Sequence, residues 1–463
     1  MTKRAVIVGA GISGLAAAYR LYLEGLRSAE ELEVFLLEER AAAGGKVRTT
    51  RNEAGVFEEG PGSFLDPGPA LKELIAISGI ELIRASEEAA RRHLCHGRSL
   101  HELSPHPWRL FKTGLLSAGA IFRIFAESWV GTRRSDHGNR PTEGWGDESV
   151  EAFITRRFGP KAASLFAAPM VSGVFAGDPK KLSLKACFPK IAAMEAEHGS
   201  LIKAMRSRRQ AGAPLPLLQA PKAGMQSLPD ALIERAPFKV RLSTSVTQLS
   251  IAGDRWSLNL RGQDALDTDA IVIATPCESA SELLREISPA ASLALSKVSS
   301  PHLAVVNLIY AEDEARRVPL GFGALHTADS GTDLLGVLHE SHIFPQRRSD
   351  GCLHLRVMLG GATKPDLGGL SDEALLQTVE RDLQAIHGFK TSPTATHITR
   401  WNQSIPQYQL GHSRLLEDMS QALEASKTPP IALAGNYLRG VSLSDTAAAG
   451  FEGADSILRQ LKG

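Results

Sequence analysis

Gly9, Gly11 and Gly14 follow directly on the apolar run Ala5 to Val8, and Leu15, Ala18, Leu21 and Tyr22 then recur at helical spacing. Glycines spaced this way at a strand-to-helix turn suit the binding of phosphates. Gly9 permits the tight turn, Gly11 leaves room for a pyrophosphate to approach the backbone, and Gly14 lets helix and strand pack closely. The start of the helix adds unpaired N–H groups and a partial positive charge. A second strand, Glu33 to Leu37, ends at Glu38, 24 positions beyond Gly14. That is close to the ~20 at which an acidic residue binds ribose hydroxyls. A glycine turn in any α/β protein would share the three glycines. Strand, turn, helix, second strand and carboxylate together predict dinucleotide binding.

Further segments carry residue types suited to the same task. ERAAAGGKVRT, residues 39–49, sets Gly44 and Gly45 just ahead of Arg48. The glycines allow close backbone approach, and an arginine there can face a phosphate. FEEGPGSFL, residues 57–65, holds Gly60, Pro61 and Gly62 in a rigid turn. DAIVIATP, residues 269–276, reads as a buried strand ending in a small-residue turn, which alone defines only a parallel sheet. In residues 430–461, Ile431 to Ala434 is a strand, Gly435 and Asn436 begin a loop, and Ser444 or Asp445 can cap the helix that follows. A helix start there would stabilise a bound anion. In isolation the same segment is equally a docking helix. These pieces lie far apart, so one shared cofactor requires other domains to be inserted between them.

Given the upstream fingerprint, Gly44-Gly45 followed by Arg48-Thr49 resembles the GG-x-x-R-T motif of the flavin amine oxidase and protoporphyrinogen oxidase superfamily. The resemblance implies non-covalent FAD. Its contacts fall on Gly9, Gly11, Ile12, Ser13 and Gly14, on Glu38 and Glu39, and on Gly44, Gly45, Lys46 and Arg48. They continue at Gly60, Pro61, Gly62 and Ser63, at Val246 beside the adenine, and at Thr275. The last set is Gly435, Asn436, Gly440, Val441, Ser442 and Leu443. GVSLSD at 440–445 departs from the more usual GV-small-apolar-N-D, and this touches the contacts of Ser442 and Leu443.

The middle of the chain resembles the oxygen-dependent protoporphyrinogen oxidase family of the heme pathway. The segments are ESVEAFITRRFG (148–159), APMVSGVFAGDPKKLSLKACFP (168–189) and KAGMQSLPDAL (222–232), then GFGAL (321–325), LLGVLHESHIFPQR (334–347), VMLGG (357–361) and IPQYQLGH (405–412). VSGVFAGDP and IPQY-x-x-GH are the specific ones. The resemblance implies oxidation of protoporphyrinogen IX to protoporphyrin IX with dioxygen, giving hydrogen peroxide, with hydride leaving a bridging carbon for the flavin N5 and no catalytic side chain. A porphyrinogen is a large apolar macrocycle with carboxylate arms, so its site needs apolar walls and a cation. Arg92 falls where the family anchors a propionate, with Arg91 and Arg98 as neighbouring alternatives. Gly323, Leu325 and Met358 match wall positions, while strand alternation would turn Phe322 to the opposite face.

The fold class that follows is α/β: a Rossmann-type FAD-binding domain, a mixed-sheet substrate domain, and an inserted helical domain of the kind that docks on a membrane in the family. The divisions are 1–84, 218–285 and 401–463 for FAD, 85–105 and 286–400 for substrate, and 106–217 for the helices. RLFKTGLLSAGAIFRIFAESW (109–129) and SVEAFITRRFG read as amphipathic helices there, residues 135–148 as a polar mobile loop, and Arg206, Arg208 and Arg209 as a solvated helix end. The 463 residues amount to roughly three domain-sized units. With 52 basic and 51 acidic residues, a broad basic surface is excluded, and nucleic acid is not an expected partner. Cys95, Cys187, Cys277 and Cys352 form no CxxC pair, and the histidines form no HExxH, so no metal is expected. No signal peptide or membrane-spanning run appears, so the expected location is the cytoplasm, with peripheral attachment to the inner membrane face. Expected partners are the porphyrinogen, dioxygen, a membrane surface or the next heme-pathway enzyme, and a second copy in a homodimer. The alternatives are coproporphyrinogen III oxidation to coproporphyrin III and an amine oxidase or carotenoid desaturase-like flavoenzyme.

Overall fold

The computed structural model describes residues 2–28, 31–103, 113–131, 147–210, 217–347 and 351–462. A five-stranded parallel sheet forms one half. Its order is Ile431–Leu433, Ala270–Ile273, β1 (Lys3–Val8), β2 (Leu32–Leu37) and Lys239–Arg241. The apolar run of β1 is continuous because the strand feeds two cores. Ala5 and Ile7 pack with Leu15, Ala18 and Leu21 of helix α1 (Ile12–Ser28), while Val6 and Val8 pack with Ile271, Ile273 and Trp256 on the other face. Helix Leu443–Lys462 lies against α1 so closely that a Cβ on Gly450 would sit 2.2 Å from the Ser13 carbonyl oxygen. The packing of this half also runs past residue 285, since Ala291 and Leu295 of helix Pro289–Ser296 belong to the core of Val6 and Val8.

The other half is a seven-stranded mixed sheet in the order Ala395–Trp401, Leu303–Tyr310, Leu353–Gly360, Leu334–Leu338, Gly323–His326, Arg92–His96 and Ser99–Leu103. Only Gly323–His326 and Arg92–His96 run parallel to each other. Alternation along Leu353–Gly360 divides its residues. Leu353, Leu355, Val357 and Leu359 pack on Leu375, Val379 and Leu383 of helix Asp372–His387, and His354, Arg356 and Met358 face the other way.

Short helices fill the interval between the two halves of the chain. Residues 109–112 of the expected 109–129 helix lie outside the described residues, and the helix spans Ala118–Phe125 rather than the whole segment. Ser117 starts it, its Oγ accepting from Ala120 N at 3.3 Å, and Ala126–Trp129 tightens into a 3-10 turn. The second expected helix is Val150–Phe158, capped by Ser149. Arg206 is exposed on helix Leu201–Gln210, whereas the side chains of Arg208 and Arg209 and residues 135–146 lie outside the described residues. Among the described residues no helix is long and apolar enough to cross a membrane.

Candidate active site

The three glycines of the first turn differ in the space around them. Gly9 has φ +102°, and a Cβ there would lie 2.9 Å from the Ala274 carbonyl oxygen. A Cβ on Gly14 would lie 1.8 Å from the Gly9 carbonyl oxygen, whereas on Gly11 the nearest atom would be Gly45 Cα at 3.9 Å. Gly9 and Gly14 are therefore fixed by packing, and Gly11 borders free space. Leu15 N donates to Gly11 O at 2.9 Å, which closes the first turn and leaves the N–H groups of Ile12 and Ser13 without an intrahelical acceptor. This is a cradle for an anion.

Glu38 reaches back into that turn. Its buried carboxylate accepts from Ala10 N at 2.8 Å and from Arg40 N at 3.1 Å. A carboxylate has about four acceptor sites, so it can still receive hydroxyls. Glu39 beside it is exposed. Thr244 N donates to Glu38 O at 2.7 Å, which brings the strand beginning at Val246 to the same edge.

The scattered segments converge. Gly11 bridges to Gly44, and a Cβ on Gly45 (φ +61°) would lie 3.1 Å from Gly11 Cα. A Cβ on Gly60 would lie 2.0 Å from the Lys46 carbonyl oxygen. Pro61 is exposed, Gly62 is buried, and Ser63 and Thr275 are half-buried. The Thr275 N–H borders Gly9. Gly68 N donates to Ser444 Oγ at 3.1 Å, tying the segment after Gly62 to the last helix. Lys46 turns its amine to Ser404 O, and burial pushes its pKa down.

Arg48 is paired within the chain. Its Nη2 lies 2.8 Å from Glu59 Oε2 and its guanidinium stands over the Trp401 ring at 5.4 Å. Glu59 also accepts from Thr50 Oγ1 at 2.6 Å.

At the other end of the chain, Gly435 is held against the Tyr437 ring, and Asn436 O accepts from the Tyr408 hydroxyl. His412 Nε2 donates to Tyr437 O at 3.0 Å, and its ring stacks on Tyr408 with centroids 4.2 Å apart. IPQY-x-x-GH thus grips the loop after the last strand. Burial pushes His412 down to about 4, so the ring is neutral near pH 7. The cap of the last helix is Ser442, not Ser444 or Asp445. Ser442 Oγ accepts from Asp445 N at 3.1 Å and donates to Asp445 Oδ2 at 2.6 Å. Gly440 has φ +77°, and Leu443 is buried in the core shared with α1. Val441 packs toward the helical region with Tyr408.

On the substrate side, Leu325 and Met358 meet across Gly336. A Cβ on Gly336 would lie 3.4 Å from Leu325 Cδ2 and 3.6 Å from Met358 Cε. Met358 and Trp401 both pack on the cluster of Ala176, Leu303, Val305 and Leu335, and the Trp401 ring is 3.8 Å from the Cβ position of Gly60, so this apolar wall lies on the side of the glycine cradle. Gly323 has φ +136°, and its Cβ position is blocked by the Val337 carbonyl oxygen at 2.0 Å. The Phe322 ring lies under the Arg92 guanidinium at 5.1 Å and packs on the core of the parallel-sheet half, whereas Leu325 packs with Leu94 and Leu165. Arg92 is exposed and makes no ion pair with a carboxylate among the described residues. Arg98 donates to Gly331 O at 3.2 Å, away from the wall. Sequence reasoning missed Gly336, between Leu325 and Met358, and Trp401, whose ring adjoins the Gly60 turn and the Arg48 guanidinium. Among the described residues no His, Cys, Asp and Glu group is arranged to hold a metal.

This fold and cradle define a flavoprotein oxidoreductase. Residues 12–458 match the family described as flavin containing amine oxidoreductase, and the chain belongs to it. Within that family it is a member of the protoporphyrinogen oxidase group and an FAD-dependent oxidoreductase. It is 32% identical to the chloroplastic protoporphyrinogen oxidase 1 of Arabidopsis thaliana over 98% of this chain and 88% of that one. It is 32% identical to the protoporphyrinogen oxidase of Homo sapiens over 99% of each chain. The coproporphyrinogen III oxidase of Bacillus subtilis is 28% identical over 96% of this chain and 95% of that one. A solved structure from Exiguobacterium sp. 255-15 superposes over the whole of both chains with a TM-score of 0.84 at 25% identity. Cyclohexylamine oxidase from Brevibacterium oxydans IH-35A shares the fold, with a TM-score of 0.71 at 16% identity over all of both chains.

Proposed function

We propose that the protein oxidises protoporphyrinogen IX to protoporphyrin IX with dioxygen, releasing hydrogen peroxide, in heme biosynthesis. The observation that carries this reading is the junction of two surfaces: the glycine cradle around Gly11, Gly45 and Gly60, and the apolar wall of Leu325, Gly336 and Met358 beside it. The open Cβ position of Gly11 and the free N–H groups of α1 fit the pyrophosphate of FAD, and Glu38 fits the ribose. FAD, when bound, supplies the acceptor for the electron pair. The chain's own residues do the rest. Leu325 and Met358 present an apolar face to the macrocycle and exclude water from it. The exposed Arg92, steadied over Phe322, binds a propionate. No side chain is assigned as a base, so catalysis rests on orientation.

Coproporphyrinogen III is the second reading. The Bacillus subtilis relative carries that name, and Arg91 lies exposed beside Arg92, where a substrate with more carboxylates could use both. Peripheral contact of a cytoplasmic protein with a membrane surface fits Phe122, Phe125 and Trp129, which are 68%, 48% and 81% exposed.

The test is anaerobic mixing of the holoenzyme with protoporphyrinogen IX and coproporphyrinogen III in parallel. Bleaching of the oxidised-flavin absorbance at least ~10-fold faster with the first supports the proposal. Faster bleaching with the second selects the alternative, and bleaching by amines but by neither porphyrinogen rejects both.

A further inference from the structure

Glu58, Glu59 and Gly60 lead into the turn of Gly60, Pro61, Gly62 and Ser63. Their three consecutive carbonyl oxygens are each held by a donor from the mixed sheet. Asn307 Nδ2 donates to Glu58 O at 3.1 Å, Trp401 Nε1 to Glu59 O at 2.8 Å, and Arg356 Nη1 to Gly60 O at 2.7 Å. The donors sit on three neighbouring strands, Leu303–Tyr310, Ala395–Trp401 and Leu353–Gly360. Asn307 and Arg356 are paired in register.

Arg356 is the end of this row nearest the turn. It is 6% exposed, and its Nε lies 2.8 Å from Oε1 of the equally buried Glu340. A Cβ on Gly62 would lie 2.6 Å from Arg356 Nη2 and 2.9 Å from Nη1. Gly62 is not among the glycines with positive φ, so its backbone would accept any residue. The three atoms nearest that Cβ position all belong to the guanidinium. Taking a guanidinium and a carboxylate out of water is costly, and an apolar pair would fill the same volume at less cost. The directional bond to Gly60 is what an apolar pair could not supply. Met358, two residues along the strand, shares the face of Arg356, so one strand carries both the apolar wall and the grip on the cradle.

We propose that Asn307, Trp401 and Arg356 form a three-donor clamp that positions the Gly60–Ser63 turn for FAD, with Arg356 and Gly62 as a matched pair. The three are positioning residues, and the inference rests on the reading of that turn as part of the flavin cradle.

The test is a double-mutant cycle on the holoenzyme, measuring FAD dissociation by the fluorescence of released flavin and the thermal midpoint separately. Arg356→Ala and Gly62→Ala should each raise the dissociation constant about tenfold, the size expected for one charged hydrogen bond. Because each breaks the same contact, the double variant should stay near tenfold. A product near a hundredfold would show two independent effects and overturn the pairing. Arg356→Lys, which keeps a cation but not the fork, should recover to within about threefold of the parent. Trp401→Phe keeps an aromatic ring, though a smaller one, and removes one donor. It should cost about threefold and blur the fine structure of the flavin absorption band, and it serves if Arg356→Ala does not fold. Unchanged affinity in both Arg356→Ala and Trp401→Phe overturns the clamp while leaving FAD binding intact. Failure of the parent protein to bind FAD overturns the cradle reading itself.

Discussion

Arg356 and Arg157 are both buried arginines held by glutamates, and they do different things. Arg157 is fully buried in the helical region. It lies 3.2 Å from Glu127 Oε1, donates to Glu195 Oε1 at 2.8 Å and reaches Val130 O and Gly199 O. Glu127, also fully buried, accepts from Leu201 N at 3.0 Å at the start of the next helix. Every far end of this network is another helix end, so it secures the fold of that region. The far end of Arg356 is a loop carbonyl in the opposite half of the molecule, next to glycines whose spacing suits a ligand. The same ion pair serves architecture in one place and a site in the other. Burial alone does not separate the two, and the partners at the far end do.

The sharpest way to break that comparison is Arg157→Ala. It leaves Glu127 with an uncompensated buried charge and should cost about 3–5 kcal/mol of stability, read by chemical denaturation. FAD affinity of the folded protein should be unchanged, the reverse of the outcome expected for Arg356. Loss of FAD affinity with unchanged stability would erase the distinction.

The next effect comes from the histidines, which concentrate in the mixed-sheet half. Burial pushes His326 down to about 3 and His354 and His387 down to about 4. These groups fold neutral and must take up a proton when the chain unfolds below the usual histidine value near 6.5. The stability they contribute is fully present above pH ~6.5 and is lost progressively as pH falls toward 4. At pH 5 each costs about 2 kcal/mol. Thermal midpoints measured from pH 8 to pH 5 should fall steeply below ~6.5, and His354→Gln should flatten the slope. A flat profile would show that these rings open to water in the native state.

The smallest effect is expected at Arg92, which is exposed and screened. Arg92→Ala should raise KM for a porphyrinogen about threefold to tenfold, with flavin content and kcat nearly unchanged. Loss of flavin instead would move Arg92 out of the substrate wall.

The parallel-sheet half was the legible one. Gly9, Gly11, Gly14 and Glu38 act within a local stretch of chain, where spacing alone encodes strand, turn, helix and carboxylate. The clamp was not legible. Asn307, Arg356 and Trp401 lie 249, 296 and 342 residues from the carbonyls they hold, and a main-chain acceptor leaves no mark in side-chain types. Ser442 was passed over as the helix cap because three candidate polar residues stand close together, and only the Asp445 N–H direction distinguishes them.

The placement of Ile431–Leu433 beside Ala270–Ile273, with Gly450 lodged against Ser13, has a consequence for biogenesis. The phosphate turn is synthesised long before the helix that supports it, so the pocket stays incomplete until Gly450 has been made. Cofactor loading should therefore wait for that helix, and nascent chains halted before residue 431 should emerge colourless.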